Sequence, residues 1–393
     1  MALEMPVTEA RKKILLVTRN FPPQIGGMER LIHHAFLELS REFSLALVGP
    51  EGSEDFAGAA HEMLACPLSP VPRFLWHCQI KSLQLARRFR PDLVIAGSGA
   101  TAPAAILAAR YCGAPAACYL HGLDLVVPGL LYKSIFLPAI RRCQHLLVNS
   151  HHTRALAGRA GIALERIRIL HPGVSLPDGK ADPADFRTFA DIDSRSHILL
   201  AVGRLIPRKG LAEFVESVLP RIVARNPEVV LVVIGVEPEH ALRHRSGERR
   251  RIEGAAAKRG LSYHLRLLGA VDDVRLNQAY AAARLLVFPV RDVPGDVEGF
   301  GMVALEAAAH GLPTVAFSLG GVTDAIQHGA SGYLIAPGDE EGFARTVLMH
   351  LSGEDPALWR GRCREFAADF AWPRFGDRLR QICREAIAAR RAS

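Results

Sequence analysis

The feature that most constrains the fold is a repeated alternation of short apolar runs with longer amphipathic segments. A first series extends from KKILLVT at residues 12–18 to IRILHPGV at residues 167–174. A second series begins with HILLAVGRL at residues 197–205 and ends with GYLIAPG at residues 332–338. Short apolar runs separated by helical segments indicate parallel strands that are buried on both faces. The chain is therefore predicted to be α/β, with two Rossmann-like doubly wound domains.

A polar stretch separates the two series and marks the predicted domain boundary. Residues 177–196 are rich in Pro, Gly and Asp, which is typical of a linker. The prediction is an N-terminal domain at residues 1–190, a C-terminal domain at 191–370 and a basic amphipathic helix at 371–393. Ligands in such sheets bind at the carboxyl ends of the strands, so two facing sheets would form a cleft between the domains.

The composition is that of a soluble globular protein, with 49% hydrophobic and 22% charged residues. The first apolar run, ILLV at residues 14–17, is too short for a secretory signal. The longest uncharged stretch, residues 93–109, contains Gly, Ser, Thr and Pro and does not suit a membrane span. Seven cysteines without a C-x-x-C pair indicate free thiols in a reducing compartment. These features predict a cytoplasmic protein.

The charge balance points to an anionic partner. The formal net charge is +8 and the isoelectric point is about 9.3. No aromatic or groove-binding signature of a nucleic-acid module accompanies this charge, so nucleic acid is not expected as a partner. A nucleotide ligand and an anionic membrane surface remain. Two basic segments, residues 81–90 and 133–142, suit peripheral membrane contact, although a solvated arginine-rich helix face would look the same.

The chemistry concentrates in the segment GDVEGFGMVALEAAAHGLPTVAF at residues 295–317. Glu298 lies in a glycine-rich loop, and Glu306 lies inside the helix predicted after it, with seven residues between them. The N-terminus of a helix suits phosphate, and glycines let the backbone approach a ligand closely. Carboxylates accept hydrogen bonds from sugar hydroxyls. The plain alternative is an exposed Glu306–His310 pair one helical turn apart and a solvated loop charge at Glu298.

The segment EGFGMVALEAAAHGLPTVAFSLGGVTDAI resembles the signature of the retaining family-4 glycosyltransferases, which have the GT-B fold. Further similar motifs follow the family's order over nearly the whole chain. These motifs are IGGMERLI (25–32), HGLDL (121–125), VNSHHTRAL (148–156), ILHPGV (169–174), AVGRLIPRKG (201–210) and GASGYLIAPGD (329–339).

The resemblance implies roles for individual residues. Arg204 and Lys209 would hold the diphosphate of a nucleotide sugar, Glu298 would lie by the donor sugar, and Glu306 would bind the ribose hydroxyls. His121 would lie beside the transferred sugar. Apart from the resemblance, we expect Asp124 to orient His121. The predicted catalytic residues are His121, Arg204, Lys209 and Glu298. The predicted donor-binding residues are Gly26, Gly27, Gly203, Arg204, Lys209, Gly235, Val271, Glu298, Phe300, Gly301, Met302, Val303 and Glu306.

No metal or other cofactor is implied, since the cations would neutralise the diphosphate. The D-I-D sequence at residues 191–193 imitates a metal motif of other transferases but lies in the predicted linker. The two glutamates are not assigned as the nucleophile and acid of a glycosidase. In the family, retention is explained by a front-face reaction in which the leaving phosphate helps to deprotonate the acceptor. The resemblance also implies that the C-terminal helix crosses back to the first domain.

The resulting prediction is a retaining hexosyltransferase that uses GDP-mannose, with a UDP-sugar as the alternative donor. The acceptor would be a saccharide or a lipid-linked molecule, and the enzyme would lie in the cytoplasm, peripherally at the inner face of the membrane. Two other classes stay open at this point. A nucleotide-sugar epimerase would share the two-domain architecture, and a non-catalytic binding subunit would share the binding motifs.

Overall fold

A computed structural model describes residues 11–177, 179, 181–238, 247–353 and 355–389. The chain forms two compact units. Unit 1 comprises Met1–His171 and Trp372–Ser393, and unit 2 comprises Pro172–Ala371. The segment that begins at Pro172, which the sequence assigns to the N-terminal domain, thus groups with unit 2. Each unit has its own cluster of buried apolar residues.

Unit 1 contains a sheet of seven parallel strands. These are β1 (Lys13–Val17), β2 (Ser44–Pro50), β3 (Ala60–Cys66), β4 (Leu93–Ala96), β5 (Ala116–Leu120), β6 (His145–Val148) and β7 (Ile167–Ile169). Their order in the sheet is β3-β2-β1-β4-β5-β6-β7. All four residues of β4 and all five of β5 are buried, as expected for strands covered by helices on both faces.

Six helices of unit 1 precede residue 171. These are α1 (Gly27–Ser40), α2 (Val71–Phe89), α3 (Ala102–Cys112), α4 (Leu123–Val126), α5 (Leu130–Arg142) and α6 (His151–Arg159). Short 3₁₀ turns lie at Glu54–Phe56, Gly99–Thr101 and Leu164–Arg166. On α1, the apolar residues Leu31, Ala35 and Leu39 are buried on one face of the helix.

Unit 2 contains a sheet of six parallel strands. These are β8 (His197–Val202), β9 (Val229–Ile234), β10 (Leu265–Gly269), β11 (Leu285–Phe288), β12 (Thr314–Phe317) and β13 (Gly332–Ile335). The order β10-β9-β8-β11-β12-β13 reverses direction between β8 and β11, which is the doubly wound arrangement. The predicted fold class, two Rossmann-like parallel-sheet units, is therefore confirmed.

The helices of unit 2 pack on both sides of this sheet. They are α7 (Pro183–Phe189), α8 (Leu211–Glu213), α9 (Leu219–Val223), α10 (Glu248–Lys258), α11 (Asp273–Ala282), α12 (Met302–Ala309), α13 (Val322–Ala325), α14 (Glu340–Ser352) and α15 (Pro356–Ala368). A π-helical turn at Phe214–Val218 joins α8 to α9, and 3₁₀ turns lie at Pro207–Lys209 and Ser262–His264.

The last helix, α16 (Trp372–Ala389), belongs to unit 1 and packs against α1. Arg380 Nη1 donates to Glu38 Oε2 at 2.6 Å, and the Trp372 ring stacks on His34 with centroids 3.8 Å apart. The sequence predicted this helix at residues 371–393, of which 390–393 lie outside the described residues. Among the described residues, no helix combines the length and apolar character needed to cross a membrane.

Candidate active site

Four charged side chains of unit 2 form a buried group, which we call the carboxylate–cation cluster: Arg208, Lys209, Asp296 and Glu298. Arg208 Nε donates to Asp296 Oδ1 at 3.0 Å, and Arg208 Nη1 donates to Glu298 Oε2. Lys209 Nζ donates to the same Glu298 oxygen at 2.9 Å. All four side chains are at most 14% exposed. The alternative of a solvated loop charge at Glu298 is therefore wrong.

The cluster lies where two strands end. β8 leads through Gly203 into the 3₁₀ turn that carries Arg208 and Lys209. The loop after β11 carries Asp296 and Glu298, and the Arg291 N–H donates to the Arg208 carbonyl at 2.9 Å. Since β8 and β11 are neighbours at the point where strand order reverses, the cluster occupies the edge at which doubly wound sheets bind ligands.

The ionisation of the cluster follows from burial and mutual charge. Burial alone would raise the pKa of Glu298, but the cations of Arg208 and Lys209 outweigh it and lower this pKa to about 2. Burial is also the largest influence on Lys209 and lowers its pKa, which Glu298 only partly counteracts. Burial would lower the pKa of Arg208 as well, but the two carboxylates reverse this effect and raise it. Glu298 is therefore a carboxylate at any physiological pH.

Two glycines hold the Glu298 backbone in place. The Gly321 N–H donates to the Glu298 carbonyl at 2.8 Å. A Cβ at Gly321 would lie 1.9 Å from the Gly299 carbonyl oxygen, and one at Gly320 would lie 2.7 Å from that of Glu298. No side chain fits at these positions, so the turn after β12 can pack directly against the glutamate loop.

The N-terminus of α12 lies beside the same cations. Gly301 caps the helix with φ of 100°, and a Cβ there would lie 3.1 Å from Cε1 of Phe288. Lys209 Nζ lies 4.5 Å from the centroid of the same Phe288 ring. The first-turn N–H groups of a helix have no partner within the helix and favour an anion. Met302 and Val303 are half-buried in this turn, and Phe300 is buried.

Glu306 lies one turn further along α12, outside the carboxylate–cation cluster. The Tyr280 hydroxyl donates to Glu306 Oε2 at 3.1 Å, and the His310 ring stacks on Tyr280 with centroids 4.7 Å apart. His310 Nδ1 lies 2.8 Å from the backbone carbonyl of Glu306. The simple Glu306–His310 side-chain pair expected as the alternative is therefore not what the structure shows.

The remaining predicted donor-binding residues of unit 2 line the carboxyl ends of neighbouring strands. Arg204 is exposed just beyond β8, and its charge helps to lower the pKa of Lys209. The Gly203 N–H donates to the Ile234 carbonyl at 2.9 Å, and the Gly235 N–H donates to that of Gly269 at 2.8 Å. Val271, two residues beyond β10, is half-buried against the core.

In unit 1, Gly26 and Gly27 lie where the loop after β1 enters α1. The Arg30 N–H donates to the Gly26 carbonyl at 3.0 Å, and a Cβ at Gly26 would lie 2.3 Å from Glu29 Oε2. Glu29 Oε1 in turn accepts from Asn20 Nδ2 at 2.8 Å. The glycine loop is thus closely packed around an acidic side chain of the first helical turn.

His121 follows β5 directly and is buried. Its Nε2 lies 2.8 Å from the Gly97 carbonyl, and because a carbonyl only accepts, Nε2 carries the proton. Asp124 Oδ2 accepts from the His121 backbone N–H at 2.9 Å, and Asp124 Oδ1 accepts from the Gly99 N–H at 3.0 Å. The predicted orienting role of Asp124 therefore runs through the backbone, and Gly97 fixes the ring.

Sequence reasoning missed Arg208, Asp296, Phe288 and Tyr280. Arg208 stands next to Lys209 in a motif whose role was assigned to Arg204 and Lys209. Asp296 is two residues before Glu298, so the D-x-E spacing was the available signal. Phe288 and Tyr280 lie in an ordinary strand and helix, and nothing in their sequence context distinguishes them from core residues.

Two family profiles match separate parts of the chain. The profile described as Glycosyltransferase Family 4 matches residues 25–177, and that described as Glycosyl transferases group 1 matches residues 196–352. The chain belongs to glycosyltransferase family 4. It is a hexosyltransferase with the GT-B fold, which sets aside the epimerase and the non-catalytic subunit as alternatives.

Relatives and solved structures agree with this assignment. The chain is 27% identical over 403 residues to the GDP-mannose-dependent alpha-(1-6)-phosphatidylinositol monomannoside mannosyltransferase of Mycobacterium tuberculosis, covering 96% of this chain and all of the relative. It is 32% identical over 254 residues to the D-inositol 3-phosphate glycosyltransferase of Mycolicibacterium vanbaalenii, covering 63% of this chain and 54% of the relative. The Anabaena HepE structure in complex with UDP-glucose superimposes with a TM-score of 0.78 at 18% identity, covering 95% of this chain and all of that one.

Proposed function

We propose that this glycosyltransferase moves a mannosyl group from GDP-mannose to a saccharide or lipid-linked acceptor, with retention at the sugar carbon. The observation that carries the proposal is the carboxylate–cation cluster beside the N-terminus of α12, which offers cations, N–H groups and a fixed carboxylate at one strand edge. The choice of donor is supported by a full-length relative that is named as GDP-mannose-dependent.

In this proposal Lys209 and Arg204 bind the diphosphate. As the glycosidic bond breaks, negative charge grows on the leaving diphosphate, and fixed cations stabilise that charge. Lys209 is paired with Glu298 and stacked over Phe288, so its ammonium is positioned before the donor arrives. The N–H groups at Gly301, Met302 and Val303 add partial positive charge. The Gly26–Gly27 loop of unit 1 would supply further backbone N–H groups.

Glu298 accepts hydrogen bonds from the donor sugar and does not transfer a proton. A carboxyl group with a pKa of about 2 holds no proton to donate at neutral pH. Its Oε2 already accepts from Arg208 and Lys209, which makes it a weak base and nucleophile. The acceptor proton therefore passes to the leaving phosphate, as in a front-face reaction, and not to Glu298.

Glu306 binds the ribose, and Gly235 and Val271 lie by the base. A carboxylate accepts from two neighbouring hydroxyls, and the Tyr280 hydroxyl fixes its orientation. His121 lies beside the transferred sugar: with the proton on Nε2 toward Gly97, a neutral ring presents Nδ1 as an acceptor. No metal is needed in this scheme, and activity that persists in a chelator is its test.

A thermal-shift panel of GDP, UDP, ADP and their common sugar conjugates tests the donor. Ligand at 100 times its Kd adds about 2.7 kcal/mol, which raises the Tm by about 5–10 °C. We expect a GDP-selective shift that is lost in Glu306→Ala and Lys209→Ala. Lys258→Ala is the matched control, since Lys258 forms an exposed ion pair in the same unit. A UDP-selective shift would mean that the donor is a UDP-sugar. No shift with any nucleotide would refute the proposed donor site.

Product analysis tests the rest of the proposal. Incubation with GDP-mannose and lipid extracts should give a mannosylated lipid, and the anomeric configuration of the new bond should match that of the donor in an NMR spectrum. An inverted anomeric centre would refute the front-face scheme while leaving the donor site intact. We also propose that the enzyme works in the cytoplasm at the inner face of a membrane, where a lipid-linked acceptor would be presented.

A further inference from the structure

One helical layer of unit 1 exposes large apolar side chains. α2 packs against α3, and α3 packs against α5; we call them the α2–α3–α5 layer. Trp76 in α2 is 67% exposed, and Leu130 at the start of α5 is 88% exposed. Further exposed apolar residues of the layer are Ile80, Leu107, Tyr111 and Ile135. Large apolar side chains grouped on one surface mark an interaction site.

The same three helices contain no aspartate or glutamate within their described bounds. Their basic residues are Arg73, Lys81, Arg87, Arg88, Arg110, Lys133, Arg141 and Arg142. Arginines in the last turn of a helix suit its dipole, and five of these eight lie there. The dipole equally favours acidic residues in the first turn, yet all three first turns lack them. The dipole alone therefore does not explain the charge pattern.

The other helical layer of unit 1 shows that the pattern is specific to one side. α1 carries Glu29 in its first turn and Glu38 further along, and α16 carries Asp377 and Glu385. Acidic and basic side chains of these two helices pair across the α1–α16 contact, as Arg380 does with Glu38. The three helices of the α2–α3–α5 layer thus carry exposed apolar residues and no acids of their own, although Arg88 pairs with Glu62 of β3. The helices of the α1–α16 layer do carry acids.

Two arginines lie beside Tyr111, one of the exposed apolar residues of the layer. The guanidinium carbons of Arg87 and Arg90 lie 5.4 and 5.6 Å from the Tyr111 ring centroid. Amphipathic aromatic side chains next to cations suit the boundary between lipid headgroups and acyl chains. Lys and Arg can keep their charge in the headgroup region while their stems cover apolar surface.

We propose that the α2–α3–α5 layer docks this protein on an anionic membrane, with Trp76 and Leu130 inserted into the interface. Helices in a parallel α/β unit begin near the carboxyl ends of the strands. Trp76 lies in the second turn of α2 and Leu130 begins α5, so both lie toward the end of unit 1 that carries His121. The insertion would bring that end of the sheet to the lipid surface, where a lipid-linked acceptor resides.

Trp76 provides a direct reporter of this docking. The chain has three tryptophans, and the other two, Trp359 and Trp372, are only 2% and 6% exposed. The probe is a vesicle of phosphatidylcholine with about 30% phosphatidylglycerol, which presents an anionic surface. Binding to these vesicles should shift the Trp76 emission to shorter wavelength. Brominated lipids in the same vesicles should quench it. Both signals should weaken as salt is raised, because a surface charge interaction is screened.

Matched variants test the two parts of the surface. Trp76→Ser should abolish the emission shift and reduce cosedimentation. Arg73→Gln with Lys133→Gln, both near the starts of their helices, should lower binding about 30-fold, at about five-fold for each charge removed. Arg378→Gln with Arg384→Gln removes the same charge from the exposed side of α16, and these changes should leave binding within about two-fold.

Three results would overturn the proposal: equal binding to neutral and anionic vesicles, no binding to either, or equal loss in the α16 control. Concentration-dependent dimerisation that buries Trp76 without vesicles, seen by sedimentation velocity, would also overturn it and assign the layer to self-association. These measurements need no donor and no turnover. Failure of the membrane proposal is thus distinguishable from failure of the proposed reaction.

Discussion

Replacing Arg208 by methionine is the perturbation that tests the carboxylate–cation cluster most directly. The Arg208 side chain is 7% exposed and is the cation shared by Asp296 and Glu298. Methionine retains much of the length and the apolar packing but removes the charge and the donors. Two buried carboxylates then share a site with Lys209 as the remaining cation of the cluster.

The size of the effect follows from what each carboxylate loses. Breaking a buried ion pair by removing one partner costs about 3–5 kcal/mol. Lys209 stays on Glu298 Oε2, so we expect the low end, a loss of about 3 kcal/mol at pH 7. Arg208→Lys keeps the charge but loses the separate N–H donors that reach Asp296 and Glu298. It should lower the free energy of unfolding by about 1–2 kcal/mol. Arg249→Met breaks an exposed helix pair and should cost less than about 1 kcal/mol.

The pH dependence gives the prediction its sign. The pKa of Glu298 is lowered to about 2 in the folded chain, below its value of about 4.3 in an unfolded chain. Its ionisation therefore contributes stability that is present above about pH 4.3 and is lost as the pH falls toward 2. In Arg208→Met the pKa of Glu298 rises, so this contribution shrinks. The difference between wild type and variant should be largest at neutral pH and should decrease below about pH 5.

Urea unfolding followed by Trp359 fluorescence measures this difference in the unit that contains the cluster. Trp359 is buried in unit 2, and a Trp76→Phe, Trp372→Phe background makes it the sole tryptophan. Adding Asp296→Asn to Arg208→Met should recover about 1–2 kcal/mol, because one buried charge is removed. A loss below about 1 kcal/mol at pH 7, or a loss that is the same at pH 7 and pH 4, would refute the reasoning.

Three further predictions address other parts of the molecule. Gly321→Ala should lower the free energy of unfolding by about 2 kcal/mol, because its Cβ would meet a carbonyl. Gly361→Ala is the control, since a Cβ there meets nothing within 4 Å, and it should not lower the free energy of unfolding in urea. Tyr280→Phe should raise the donor KM about five-fold with kcat unchanged, because it removes the hydrogen bond that orients Glu306; a kcat loss alone would contradict this role. Burial, with nearby positive charge, lowers the pKa of His34 to about 4, so His34 contributes stability above its unfolded pKa of about 6.5 that is lost as the pH falls toward 4. Discounted for partial exposure, the loss is about 1–2 kcal/mol, and His34→Phe should flatten that part of the stability–pH profile.

The sequence predicts the strands well where they are buried on both faces. The four apolar runs that begin and end the two predicted series contain β1, β7, β8 and β13. β3 was missed because Ala60–Cys66 is mostly half-buried and reads AHEMLAC, in which polar His61 and Glu62 leave only a short apolar run. A strand is recognised most readily from its sequence when it is buried on both faces.

α7 was missed for a different reason. It lies in the stretch predicted to be a linker, although Asp182 caps it by accepting from the Ala184 N–H and Pro183 occupies its first position. Aspartate followed by proline is a helix-start signal, but the surrounding Gly and polar residues favoured a loop.

The sequence indicated some members of the candidate site, but neither all of them nor their pairing. Glu298, Lys209 and Gly301 are brought together around Phe288, as the motifs imply. The motifs do not show that Arg208, and not Arg204, is the buried arginine, because both follow β8 and either could turn inward. The choice depends on the chain path at Gly210, where a Cβ would lie 2.1 Å from the Pro289 carbonyl oxygen. This close contact holds the turn against the loop after β11, and tertiary packing of this kind is not encoded in local spacing.

The two glutamates of the motif differ through their surroundings and not through their chemistry. Glu298 is held between two cations, which keep it ionised and occupy the lone pairs of one oxygen. Glu306 is half-buried and accepts from the Tyr280 hydroxyl, which positions it. A glycosidase needs one carboxyl group whose pKa is raised and one free nucleophile. Glu298 meets neither condition, which supports the proposal that the pair binds a nucleotide sugar at two points while the reacting groups come from the donor and the acceptor.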